Sequence, residues 1–545
     1  MGMVVAWVLL SATTVVQARD WMYAKTANFE VYTNAPKVDA RILVARLERF
    51  RSTFLQILPG APFHQPRTTV YIFDDERDFR PYKPLYQGKP MDIAGVFRGF
   101  PDEVVIAMAA SGELDRVIPT IYHEFIHLLM HARGYRLPPW LNEGIAEFYE
   151  TMEFSGDEVL VGKHNPLHIT QLTRGRMMPL AKLFAVTHGS PDYNESSRMG
   201  MFYAQSWAFV HYCLTADRKG RKRGEGFNEL LAYLQLGYSA EESVQRAFGM
   251  SAAELEADLG AYVRGGRYTV GRYNIPGAID PKSIGFQKAD DFARDVALTN
   301  LKWRIHQNGS ALLELRQWVA RNPESPRPHE IIATLLNYDG ERLRSMQSLE
   351  EAAKLGSENP YVYAKLAEDS LRQYLSGVRP SFRLPPEASA ELRAWLDRAV
   401  QLAPNYTDAW DWLALTEAFS AKPRPAMVQT LQEKRMVFGN RPRLLAGFSL
   451  LALRIDQKTF AEHLADSLLA TPSVMKRPTA RSGVRMQGVK NQNSRNWMQR
   501  AEYYPEVRGI AQAVKRELAP KDPDAKKPAR GEYRPAEVVI EFIEE

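Results

Sequence analysis

The stretch Ile121-Tyr122-His123-Glu124-Phe125-Ile126-His127 decides how this chain is read. On an α-helix, residues four apart lie about 40° apart around the axis and one turn along it, so His123 and His127 present two imidazoles to one point. Glu124 stands near the same face. Ile118, Ile121, Phe125 and Leu128 hold the helix against a core, which turns the histidines toward a cavity. A catalytic zinc takes three protein ligands and keeps one position open, so a third donor is expected downstream. After His127 the chain turns at Gly134 and Pro138-Pro139 and enters a second helix as Trp140-Leu141-Asn142-Glu143-Gly144-Ile145-Ala146-Glu147. Glu143 is the expected third ligand. Glu147, one turn further on, is placed to accept the outer N–H of a ligating imidazole, a contact that sets tautomer and basicity.

Working outward, residues 28–33 read as a strand, and Ile42, Leu43, Leu47, Phe50, Phe54 and Leu58 as one stripe of a helix. Residues 68–73 and 104–109 read as further strands, and residues 114–131 as the helix that carries the two histidines. Strands mixed with helices predict an α+β domain over residues 19–267. A Gly- and Pro-containing linker is expected over 268–290. From 291 to 472 the pattern is almost wholly helical. Asn322-Pro323, Asn359-Pro360, Ala403-Pro404 and Arg441-Pro442 stand between helical runs at spacings of 37, 44 and 38 residues, which points to a degenerate tetratricopeptide-like repeat. An irregular helical bundle is the alternative. The long spacing holds an insert, residues 376–389, rich in Pro, Arg and Ser.

The ends differ in composition. Residues 3–16 form an apolar run followed by Val16-Gln17-Ala18, so residues 1–18 read as an export signal, and a periplasmic or secreted protein is expected. Residues 473–545 form a basic tail: positions 474–500 carry seven Lys or Arg and no acid. A solvated tail is the default reading, with membrane-surface contact the minority one. The 545 residues carry 70 Lys and Arg against 64 Asp and Glu, a net +6 too dilute to imply a nucleic-acid partner. A single cysteine, Cys213, excludes an intrachain disulfide framework and a four-thiolate zinc site.

The His123 to His127 motif, the Trp140 to Glu147 helix and the block Phe202-Tyr203-Ala204-Gln205-Ser206-Trp207-Ala208-Phe209-Val210-His211-Tyr212 together resemble the gluzincin metallopeptidases. More closely, they resemble exported peptidase-MA-like proteins that join such a domain to tetratricopeptide helices. The resemblance implies a zincin-like α+β fold followed by an all-α solenoid, a Zn²⁺ ion on His123, His127 and Glu143, and a peptide or protein substrate. It implies that Glu124 serves as general base and that Tyr203 stabilises the oxyanion, with Tyr212 the next competitor. No signature for binding a substrate amino terminus is present, so aminopeptidase activity is not carried over. Residues Val104, Val105 and Ile106, just before the metal helix, are expected to form an edge strand on which an extended peptide aligns. The helical repeats would recruit that substrate or a protein partner. The rival reading is a noncatalytic scaffold that works through its repeats.

Other histidines read as structural. His131 lies ~6 Å further along the axis than His127. Pro166 stands between His164 and His168 and disfavours the helix their pairing would need. His211 reads as packing.

Overall fold

The computed structural model describes residues 20–58, 60–93, 95–111, 114–135, 137–194, 196–216, 224–235, 238–307, 310–375, 382–438, 441–469 and 505–519. The export-signal segment, the basic stretch 474–500 and residues 376–381 of the 376–389 insert lie outside them. The chain is mostly helical with a small sheet region. No helix among the described residues is long and apolar enough to cross a membrane.

The first unit is built on a six-stranded mixed sheet. Its strands are β1 (Met22–Lys25), β2 (Glu30–Thr33), β3 (Arg67–Phe73), β6 (Gly95–Gly99), β7 (Glu103–Ala109) and β11 (Gln287–Lys288), in the order β11-β1-β2-β3-β7-β6. A two-stranded hairpin, β4 (Leu85–Tyr86) and β5 (Lys89–Pro90), projects between β3 and β6, and β8 (Glu153–Ser155), β9 (Glu158–Val161) and β10 (Gly271–Asn274) form a separate small sheet. Helix α1 (Lys37–Ile57) joins β2 to β3 and α2 (Glu76–Phe79) follows β3, while α3 (Leu114–Ala132) and α4 (Pro139–Tyr149) come after β7.

Alternation along the strands assigns each face of the sheet. Val31, Val70, Ile72, Val104, Ile106 and Met108 pack with α1 and α3 in one core, while Tyr32, Tyr71, Phe73, Val105 and Ala107 point to the other side. Tyr122 of α3 stacks on Phe50 of α1 with ring centroids 3.8 Å apart. Of the stripe expected on α1, Ile42 alone is solvent-facing; the others are buried.

The Val104, Val105 and Ile106 strand is not an edge. β7 pairs in parallel with β3 on one side and antiparallel with β6 on the other, and every residue of it is buried. A strand with both ladders filled has no donors left for a substrate. Its uninterrupted apolar run is itself the mark of a strand buried on both faces. The true edge beside α3 is β6: a Cβ added at Gly95 would come within 2.9 Å of Val117, and the Phe97 ring lies 6.5 Å from that of Phe125. The segment expected as a linker is partly in the sheets, because β10 and β11 both fall within it.

Helices α5 (Pro166–Arg174), α6 (Leu180–Phe184), α7 (Pro191–Asn194), α8 (Ser196–Thr215), α9 (Phe227–Gln235), α10 (Ala240–Phe248) and α11 (Ala252–Gly265) complete the first unit. Beyond β11 runs a stack of helices: α12 (Asp291–His306), α13 (Ser310–Arg321), α14 (Pro326–Tyr338), α15 (Arg342–Lys354), α16 (Pro360–Leu375), α17 (Pro386–Leu402), α18 (Thr407–Phe419), α19 (Pro425–Phe438), α20 (Pro442–Arg454) and α21 (Lys458–Leu469). Of the four X-Pro dipeptides of the repeat pattern, two lie just before α14 and α18 and two put their proline at the first position of α16 and α20, the more buried member of each pair. A last helix, α22 (Pro505–Leu518), covers the end of the stack with Val507, Ala511 and Val514.

The stack is joined to the sheet rather than tethered to it. Ala297, Leu301 and Ile305 of α12 cover the sheet's second face. At the start of β7, Arg304 makes a bidentate pair with Asp102 at 3.1 and 2.6 Å. Glu103 accepts from Thr69 at 2.6 Å, Asn300 at 2.8 Å and Arg327 at 2.6 Å. Glu330 binds both Arg67 and Arg327 at 3.0 Å and Ser357 at 2.6 Å. Three guanidinium groups thus face three carboxylates. Burial alone would raise Glu103, but Arg327, Arg304 and Arg67 outweigh it and hold the carboxyl down at about 2.

Removing one partner of a buried pair strands the others, at a cost of about 3–5 kcal/mol. Glu103→Gln is therefore expected to lower the stability of the first unit by about that amount in urea denaturation followed by tryptophan fluorescence. Because the folded-state pKa is depressed, the contribution of Glu103 is present above its unfolded value near 4.5 and is lost as pH falls toward about 2. The gap between wild type and variant should close across that window.

Candidate metal centre

Helix α3 is long enough to carry both histidines because its apolar stripe is continuous: Ile118, Ile121, Phe125 and Leu128 are all buried. Arg133 follows it and donates to the carbonyls of Leu55, at 3.1 Å, and Leu58, tying the turn to the end of α1. Gly134 then takes φ +82°, a left-handed conformation that ends the helix. Pro139 at the first position of α4 starts the second helix.

Where α3 and α4 meet, His123 Nε2 lies 3.2 Å from Glu143 Oε2, His127 Nε2 lies 3.3 Å from the same oxygen, and the two Nε2 atoms are 3.1 Å apart. Two N–H groups converging on Glu143 Oε2 would account for two edges of this triangle but would set the two Nε2 donors against each other along the third. An N–H aimed along one edge points about 60° away from the next, where such bonds are weak. A tetrahedral zinc with ligand atoms at about 2.0–2.1 Å sets those atoms about 3.3 Å apart. The three donors therefore fit a small tetrahedral cation.

Each donor is held from behind. His123 Nδ1 donates to Glu150 Oε2 at 3.0 Å. Asn142 Nδ2 is 3.0 Å from His127 Nδ1; with the carboxamide turned over, its oxygen would accept the proton of that nitrogen. The Tyr193 hydroxyl donates to Glu143 Oε1 at 2.8 Å, leaving Oε2 toward the two imidazoles. The role expected of Glu147 is thus taken by Glu150: Glu147 Oε1 stands 3.7 Å from His123 Nδ1, while its Oε2 accepts from His168 Nε2 at 2.6 Å. Glu143 and Glu147 lie on one face of α4, Glu150 caps its end on the same face, and all three are buried.

Buried carboxylates dominate the electrostatics of the triangle. Burial alone would lower His123, but Glu143, Glu150 and Glu147 outweigh it and hold the imidazole well above its usual range. Burial would raise Glu143, yet His127 and His123 pull it well below the carboxylate range. Burial, opposed by His123 and reinforced by Glu147, holds Glu150 above that range. The surplus of negative charge that raises His123 is one that a divalent ion would answer.

Glu124 follows His123 on α3 and is half-buried. The Tyr203 ring, on α8, lies 6.4 Å from His123 and 6.3 Å from Tyr193, so the tyrosine named from the third sequence block is brought to the same wall. Tyr212 is not, since its hydroxyl lies 3.4 Å from Asp258. Val104, Val105 and Ile106 are held within the sheet. His211 is buried packing: it donates to the carbonyl of Gly162 at 3.0 Å, and burial pushes it down to about 4. Cys213 is buried as well.

Sequence reasoning missed Asn142, Glu150, His168 and Tyr193. Two of these carried a signal. Glu150 continues the four-then-three spacing of Glu143 and Glu147, a single helical face. Pro166 excluded the wrong thing: it opens α5 after the Asn165 cap, leaving His164 outside but His168 one turn inside. Tyr193, on a four-residue helix fifty positions from its partner, carried none.

Residues 117–223 match a family described as "Protein of unknown function (DUF1570)". Among curated proteins, none matches the chain. Among solved structures, the tetratricopeptide (TPR) domain of P58(IPK) aligns with 65% of this chain and 98% of its own at 12% identity. Its TM-score of 0.15 is too low to carry an argument.

Gly144 controls the packing of α4 on α8. A Cβ there would come within 2.4 Å of the Ser206 carbonyl oxygen, a backbone atom that cannot rotate away. Gly144→Ala is expected to force the helices apart and destabilise by about 1–3 kcal/mol, read by thermal denaturation, with weakened metal binding in the same sample.

Proposed function

We propose that this chain is an exported zinc-dependent peptidase of gluzincin type. The observation that carries the reading is the triangle of His123 Nε2, His127 Nε2 and Glu143 Oε2, each side chain fixed from behind by Glu150, Asn142 or Tyr193. A site with three protein donors, and no fourth among the described residues, suits catalysis better than structural zinc, which is usually closed by four.

Zinc held there would supply a Lewis acid that acidifies water and polarises a carbonyl. Glu124 takes the proton of the attacking water and passes it to the leaving amine. The Tyr203 hydroxyl donates to the oxyanion, a contact worth about 3 kcal/mol in comparable sites. Tyr193 is not that donor, because its hydroxyl is committed to Glu143. The substrate backbone pairs with the outer edge of β6 instead of β7, since β6 has one ladder filled and lies against α3.

The helix pairs are read as tetratricopeptide-like and as the element that recruits a protein substrate or partner. Their first members, α12 and α14, are engaged with the start of β7, so recruitment falls to the later pairs. Export rests on the apolar run 3–16.

Wild-type protein should bind one zinc and cleave casein or a peptide library. Glu124→Gln should keep the metal and lose about 10²–10⁴ in rate, whereas His127→Ala should lose the metal. Zinc bound with no turnover in either wild type or Glu124→Gln would favour the scaffold reading. In a peptide that is cleaved, N-methylation at alternate backbone amides should slow cleavage by about tenfold or more if β6 pairs with it, for the loss of a hydrogen bond or two.

A further inference from the structure

Behind the metal triangle lies a second group of side chains that ligation does not use. Glu147 and Glu150 stand three residues apart on α4, both buried, and both within reach of His123 Nδ1, at 3.7 and 3.0 Å. That nitrogen carries one hydrogen and satisfies one of them. Two largely buried carboxylates competing for one N–H would leave the imidazole with two resting orientations. The His123 ring cannot take both and keep Nε2 at one corner of the triangle.

A separate element breaks the tie. His168 enters from α5, which Asn165 caps by accepting from the Leu167 N–H at 2.9 Å and which Pro166 opens. Its ring packs against Trp207 of α8 at 6.0 Å between centroids, and its Nε2 donates to Glu147 Oε2 at 2.6 Å. Glu147 thereby has Oε2 committed to α5, and its Oε1 stays at 3.7 Å from His123 Nδ1, beyond the 3.0 Å of Glu150.

We propose that His168 is a positioning residue of the metal site: by engaging Glu147 it reserves the outer nitrogen of His123 for Glu150 and so fixes the ring that carries a ligand atom. This rests on the metal-site reading above. It is a claim about how tightly the site holds zinc, separable from whether the protein cleaves anything. Partners of this kind, one contact removed from the ion, commonly change metal affinity 10–100-fold when replaced.

The test is zinc affinity of the full chain, measured by competition with a chromophoric chelator. His168→Leu should weaken binding by about 10–100-fold. His168→Gln, whose side-chain amide still donates to Glu147, should recover most of that loss. The double variant His168→Leu with Glu147→Gln should also recover affinity, because the competing carboxylate is gone. A residue that merely filled space would show no such rescue. Unchanged affinity in His168→Leu would overturn the proposal, as would a double variant no tighter than the single one. Absence of zinc binding by the wild type would instead overturn the metal-site reading, and this inference with it.

Discussion

Glu143, Glu147 and Glu150 project from one face of α4 into the interior, where an ionised carboxylate costs several kcal/mol unless it is paired and hydrogen-bonded. The elements around the site are arranged to meet that cost. α3 brings His123 and His127 to Glu143, α5 brings His168 to Glu147, and α7 brings Tyr193 to the far oxygen of Glu143. Glu143, Glu150 and Glu147 together outweigh burial at His123 and hold its imidazole well above the usual range. The close approach of α4 and α8 at Gly144, and the apolar stripe of α3, hold these polar groups in register.

A second set of buried charges holds the two halves of the molecule together. Arg67, Arg304 and Arg327 face Asp102, Glu103 and Glu330 at the start of β7. Because β7 leads directly into α3, the strand that the helical stack grips is the one that aims the helix of His123 and His127. The stack is thus part of the support of the site as well as a surface beyond it. Its first helix, α12, closes the sheet's second face, so the sheet has apolar cover on both sides.

Much of this was legible before any fold was known. Strands at 30–33, 67–73 and 103–109, the helix at 114–132 and the helix pairs after 291 follow from local periodicity, which burial against a neighbour imposes wherever that neighbour lies. The two imidazoles and Glu143 follow from helix geometry and the known needs of a metal. What failed did so for nonlocal reasons. β7 has the composition of a strand, but whether it is an edge depends on β6, a five-residue strand beginning and ending in glycine that offers no periodic signal. The segment after 268 looked like a linker because β10 and β11 are short and mostly exposed.

The sequence by itself determined which residues can lie on one helical face, because 3.6 residues per turn is a property of the backbone alone. His123 with His127, and Glu143 with Glu147 and Glu150, are consequences of that number. Only the tertiary structure decided which carboxylate meets which imidazole. Glu147 and Glu150 are equally available to His123 along α4, and the choice falls to Glu150 because His168, on a different helix and 21 residues away, holds Glu147 at 2.6 Å. Hydrogen bonds are directional and short, so partner choice is settled by helix packing at the scale of an ångström, which local periodicity does not encode.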